Sequence, residues 1–225
     1  MIGLIDGPTA EKIKSLGGLK AIVISHPHYY TTYVEWYRTF QCPIYLGSDD
    51  QEWLCQKPPS SETLRFIEGP AGAAQSIVPG VTAIKTGGHF PGSLVLHWEK
   101  KLFIADTIVT VPVCGISLFI MPREFVMSRP ADRDLQSAYT PHRRPPGLTS
   151  YVFEWSIPNM IPLPPDEINN IWQAIKPFNF DTTHGAFVGM DVRDEKLKRR
   201  MLDSMKIQVK AEGWEEHPLL SEKVD

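Results

Sequence analysis

Four places in the chain carry residue types able to hold a metal ion: His26-Pro27-His28, His89, Asp106 and His184. Neutral imidazole and carboxylate together suit zinc, and also iron or manganese. The two histidines of His26-Pro27-His28 alternate along the chain. An extended backbone would turn both rings to one side, where one ion could take both. The remaining histidines read as surface or core residues. His97 lies in a strand pattern between Leu96 and Trp98, His142 in a basic, proline-rich stretch, and His217 near the end of the chain.

Each candidate ligand follows directly after a predicted strand. The apolar, β-branched run 19–24 predicts a buried strand before His26, after a helix over 9–16 that Asp6 caps and Gly17-Gly18 ends. A helix is expected over 31–41, a short strand over 43–46 and a further helix from Ser48 through Leu54. Residues 81–85 read as a strand running into Gly87-Gly88-His89. Residues 93–98 and 102–105 read as a hairpin with Asp106 at its end, and 178–181 as a strand before His184. Helices are expected over 165–176, with Ile168, Ile171, Trp172 and Ile175 on one face, and over 194–213. Strands alternating with helices predict an α/β fold, in which residues beyond strand C-termini converge on a common crevice.

The 225 residues, 42% hydrophobic and 22% charged, suit one folded domain spanning 1–225. A segment at about 112–150, with five arginines and several prolines, fits no periodic pattern and reads as an irregular insert. The net charge of -3 gives no electrostatic footprint for nucleic acid or an anionic membrane, so neither is expected as a partner. Cys42, Cys55 and Cys114 form no C-x-x-C pair, and no signal-like or membrane-length apolar run occurs. A reducing, cytoplasmic setting is therefore expected. Neither a glycine-rich phosphate loop nor a G-x-S-x-G serine elbow is present.

The order of these motifs resembles the metallo-β-lactamase-fold superfamily. That signature is H-x-H-x-D-H after a strand, then a later histidine, a bridging aspartate and a final histidine. Here His26-Pro27-His28-Tyr29-Tyr30-Thr31, Gly88-His89, Ala105-Asp106 and Thr183-His184 match in order, from about Ile22 to His184. The resemblance implies an αββα sandwich lacking its N-terminal strands, since only 25 residues precede His26. The missing strands would leave a sheet edge open, which favours a homo-oligomer.

The resemblance also implies a metal site of His26, His28, His89, Asp106 and His184. Tyr30 and Thr31 stand where the family places the aspartate and histidine of its second metal site, which implies one zinc ion rather than two, with iron as an alternative. Asp106 becomes the candidate to orient the nucleophile, and Tyr30 either bonds a substrate oxygen or packs under the next helix. The implied activity is hydrolysis of an ester, thioester, lactone or related bond by a metal-bound hydroxide. The alternatives are a degenerate binding protein and a mononuclear iron oxygenase like the superfamily's persulfide dioxygenases. Trp36, Trp53, Tyr29, Tyr30 and Phe90 are candidates to line an apolar mouth, with core packing the expected role of Trp36 and Trp53.

Overall fold

A computed structural model describes residues 4–111 and 150–224. The irregular stretch at about 112–150 thus lies outside the described residues, apart from Ser150. The first helix, α1 (Gly7–Ser15), starts where Asp6 accepts a 2.8 Å hydrogen bond from the Thr9 N–H.

Two sheets form the centre. The smaller is parallel, in the order β1 (Ile22–Val23), β2 (Ile44–Gly47), β3 (Leu64–Ile67). Parallel neighbours need a crossover, and α2 (Tyr33–Phe40) supplies it between β1 and β2. The larger sheet grows from a meander of β4 (Ala74–Val78), β5 (Val81–Lys85), β6 (Leu94–Trp98) and β7 (Lys101–Phe103). Two small ladders follow, β8 (Val109–Thr110) with β9 (Tyr151–Val152) and β10 (Glu154–Ser156) with β11 (Ile161–Pro162). After α3 (Pro165–Ile175), β12 (Thr182–His184) joins β7 in parallel and β13 (Val192–Arg193) closes that edge. The last helix is α4 (Leu197–Ala211).

The period-2 alternation of the strands sets the layers. On β1 and β2, Ile22, Ile24, Ile44 and Leu46 pack with Tyr33 and Val34 of α2. The intervening Val23 and Tyr45 face the other way, against Ala83, Leu94 and Leu96 of β5 and β6. The opposite face of that sheet, through Ile84 of β5, Val95 of β6 and Leu102 of β7, buries Ile168, Ile171, Trp172, Met201 and Met205 of α3 and α4. The order of layers is helix, sheet, sheet, helices: an αββα sandwich.

Three elements differ from the sequence pattern. Only Ile22 and Val23 of the run 19–24 pair as a strand. The segment from Ser48 forms 3-10 turns (Ser48–Trp53) broken at Asp50, whose side chain bonds elsewhere. The strand expected over 178–181 instead starts at Thr182, because the Phe178 N–H closes a turn on the Ile175 carbonyl at 3.0 Å. Among the described residues, no helix is long and apolar enough to cross a membrane.

Candidate metal centre

His26 leaves β1 in an extended conformation (φ -167°, ψ 171°), and Pro27 then opens a tight 3-10 turn (Pro27–Tyr29). The turn brings the His28 ring to 5.0 Å from that of His26. His89 comes from the loop after β5, with its ring centroid 5.0 Å from both. The loop reaches this position through Gly87-Gly88. At Gly88 (φ 90°) a Cβ would lie 2.9 Å from Thr107 and 3.0 Å from Leu163, so only glycine fits. Asp106 follows β7, which its pairing with β12 extends through the Ile104 N–H to the His184 carbonyl.

The four side chains converge. Asp106 Oδ2 lies 3.1 Å from His26 Nε2 and 3.6 Å from His28 Nδ1. His89 Nε2 lies 3.4 Å from His28 Nδ1. One donor atom from each of the four residues falls within 4.8 Å of every other. A tetrahedral zinc with bonds near 2.0–2.1 Å sets its ligands about 3.3 Å apart. The three measured separations straddle that value, so the donors fit an ion in both type and spacing.

Their electrostatics suit the same role. Burial and the neighbouring His26 hold the His89 imidazole below its ordinary value, which favours the neutral, ligating form. Burial alone would raise the Asp106 carboxyl. The hydrogen bond from His26, with the charges of His26 and His89, brings it below the usual carboxylate range instead. Outside the cluster, Ser25 Oγ lies 3.0 Å from His26 Nδ1. A His26 ring that donates its Nδ1–H to this hydroxyl leaves Nε2 free for a metal, whereas one that donates Nε2–H to Asp106 accepts the Ser25 hydroxyl at Nδ1. His89 Nδ1 is buried beside the backbone of Trp155 without closing a bond of normal geometry.

The tyrosines divide in a way that residue types did not show. Tyr29 packs edge-on against His26 at 4.7 Å, and its hydroxyl feels the charge of the Asp106 carboxylate. Burial, then that carboxylate, push its hydroxyl up to about 12. Tyr30 is buried in the core with Ile24, Tyr33 and Val34, and is not among the converging donors. Its hydroxyl is raised by burial and by the charge of Asp50.

His184, the last residue of β12, is also outside the four-residue cluster. Its Nδ1 meets Asp191 at 3.1 Å and its ring stacks on Phe103 at 4.9 Å. It lines a cleft of about 280 Å³ with Ser25, Tyr29 and Ala105, beside Asp106.

Phe90 lies over His26 and against His28, at 5.8 and 5.1 Å. Trp53 meets Phe90 edge-on at 5.6 Å and is 52% exposed, so it is a surface residue of this mouth and not a core residue. Trp36 packs against the α2 core as the pattern suggested. Two other histidines are accounted for by structure: His97 Nε2 contacts the Asn179 carbonyl, and His217 pairs with Asp166 and accepts from the Leu219 N–H. His142 lies outside the described residues. Ser25, Tyr29 and Asp50 acquire their roles here. Ser25 and Tyr29 adjoin His26 and His28, but Asp50 meets its partner Gly92 across 42 residues and leaves no local signal.

The flavodiiron core of a Synechocystis protein, solved after metal soaking, is similar over 90% of this chain and 46% of that chain, with TM-score 0.51 and 12% identity. Two sheets between helices, with the four candidate metal donors after strand ends, complete the picture. The chain has the metallo-β-lactamase fold. A B3 metallo-β-lactamase with an active-site glutamic acid aligns over 92% of this chain and 74% of its own, at 12% identity and TM-score 0.48. YmaE, an uncharacterized protein of Bacillus subtilis, is 34% identical over 197 residues, 87% of this chain. The chain spans 60% of the length of that curated relative. No protein-family model matches the chain.

Proposed function

We propose that this metallo-β-lactamase-fold chain is a metal-dependent hydrolase acting on an ester, thioester, lactone or related bond of a small molecule. The observation that carries the reading is the convergence of His26, His28, His89 and Asp106 within 4.8 Å. These four would hold one ion, with zinc the leading candidate for a set of three imidazoles and a carboxylate. Such an ion lowers the pKa of water toward about 7 and polarises an acyl oxygen.

The chain's own residues supply the rest. Ser25 orients His26, and Asp106, ionised at neutral pH, can accept a proton or a hydrogen bond beside the reacting atoms. The Tyr29 hydroxyl stays protonated at neutral pH and serves as a donor next to Asp106. Tyr29, rather than Tyr30, is thus the tyrosine proposed to meet a substrate oxygen, and Tyr30 follows the other of its two expected roles, packing in the core. Phe90 and half-exposed Trp53 give the mouth an apolar wall that suits an acyl group and keeps water from one side.

A panel of aryl esters, thioesters and lactones tests this, with zinc-loaded protein and a His26→Ala/His28→Ala variant. Turnover that the double variant loses, and that Tyr29→Phe slows through kcat, is the expected result. One specific departure favours a second reading, a binding protein without turnover: Tyr30 and Thr31 replace the second-site aspartate and histidine. Full metal content with no turnover anywhere on the panel would establish that reading instead. Stoichiometric iron with oxygen consumption would point to an oxygenase.

A further inference from the structure

We propose that Asp50 is a positioning residue that ties the His89 loop to the sheet carrying His26, and so sets the spacing of the metal ligands. The inference rests on the metal-centre reading for its consequence, but its geometry stands without a metal.

Asp50 is fully buried in the turn after β2. A buried carboxylate is costly unless it is bonded. Its Oδ1 accepts the Gly92 N–H at 2.9 Å, three residues beyond His89. The approach is close on both sides. A Cβ on Gly92 would lie 2.7 Å from the Asp50 carboxylate, and a Cβ on Gly47 would lie 2.0 Å from the Gly92 carbonyl oxygen. The same turn touches the loop again through Trp53 on Phe90. Ser93 Oγ accepts from the Phe90 N–H at 3.0 Å and Thr107 Oγ1 donates to the Gly87 carbonyl at 3.1 Å, while the Leu94 N–H, just past the loop, donates to the Ser25 carbonyl at 2.8 Å and is a second tie to the His26 segment that Asp50→Ala leaves in place.

Asp50 also faces the first ligand turn. Its Oδ2 and the Tyr30 hydroxyl are both buried without a hydrogen-bond partner, and the Asp50 charge acts on that hydroxyl and on His26. One carboxylate therefore stands behind both ligand-bearing segments, His26–Tyr30 and the His89 loop. The chemistry at the metal needs neither oxygen of Asp50, which separates this role from that of Asp106.

The test uses the full chain with Asp50→Ala, Asp50→Asn and Gly92→Ala. Two quantities are read: amide hydrogen exchange over residues 86–93 in metal-free protein, and zinc affinity by competition with a chromophoric chelator. Asp50→Ala should speed exchange over 86–93 while leaving β12 and α4 protected, and weaken zinc binding about 10–100-fold, the range for lost outer-shell support. Asp50→Asn keeps an acceptor for the Gly92 N–H and should lie closer to wild type on both readings. Gly92→Ala should reproduce the Asp50→Ala effects, and should cost less when added to Asp50→Ala, which clears its clash.

Unchanged exchange over 86–93 in Asp50→Ala would overturn the proposal. So would fully additive effects of Asp50→Ala and Gly92→Ala. If wild type binds no zinc, the hydrolase reading falls, while the exchange data still decide whether Asp50 anchors the loop.

Discussion

Replacing Ser25 by alanine removes one atom from the candidate metal centre without touching a proposed ligand. Ser25 Oγ sits 3.0 Å from His26 Nδ1, and His26 Nε2 is the atom that faces Asp106 at 3.1 Å. With a metal on Nε2, Nδ1 carries the proton and donates to Ser25. A neutral hydrogen bond of this kind contributes about 0.5–1.5 kcal/mol net. Ser25 is only partly buried, so water can partly replace its hydroxyl and the loss should fall near 1 kcal/mol. That corresponds to roughly fivefold weaker binding, since about 1.4 kcal/mol is tenfold. Phe90 and Tyr29 still pack on the His26 ring, which keeps it from swinging away.

Competition with a chromophoric chelator measures the affinity, and thermal unfolding of the metal-free protein shows whether the fold is intact. Ser25→Ala should bind zinc about fivefold more weakly with unchanged metal-free stability, and Ser25→Thr should restore most of the affinity. Wild-type affinity in Ser25→Ala would refute the tautomer argument. A loss beyond a hundredfold would refute it too, because it would mean that Ser25 touches the ion.

Other expectations follow from the same geometry. Gly47→Ala drives a Cβ into the Gly92 carbonyl, a backbone atom that cannot yield cheaply. It should cost roughly 1–3 kcal/mol in thermal unfolding, the usual range for overpacking, and an unchanged Tm would contradict the close approach. His89 is held below the ordinary imidazole value, so it resists protonation to lower pH than a free histidine. Metal should therefore stay bound from pH 8 down to about 6.5 and leave as the pH falls further; dialysis with elemental analysis showing release complete above that range would count against the ligand set. Lys176, Gln173 and Trp172 hydrogen bonds hold the Glu222 carboxyl down at about 2. Its folded-state value lies below the unfolded one, so its contribution is present above about pH 4.5 and lost as pH falls toward 2. Glu222→Gln should flatten the unfolding curve in that window, and an identical acid limb would refute the assignment.

The sequence pattern carried the fold where hydrophobic periodicity was strong. The runs at β5, β6, α3 and α4 show it, because each buries one face against a neighbour. Strands β3 and β4 leave a weaker trace: Arg65 interrupts the first, and Gln75 and Ser76 lie in the second. Of the five candidate ligands, the four that converge were legible as candidates because metal chemistry restricts residue type and the strand ends fix their place; His184 lies apart from them. What surrounds them was not. Tyr29 and Tyr30 are the same residue type side by side, and only the 3-10 turn at Pro27–Tyr29 decides that one meets Asp106 while the other enters the core. Asp50 was hidden for another reason: its role depends on a contact between two sheets, which no local spacing records.

Elemental analysis of the purified chain, beside a His26→Ala/His28→Ala variant, tests the central claim most directly. One tightly bound transition metal per chain, absent from the variant, is the expected result. A wild-type protein without stoichiometric metal, even after zinc reconstitution, and no more stable than the variant would contradict the metal centre.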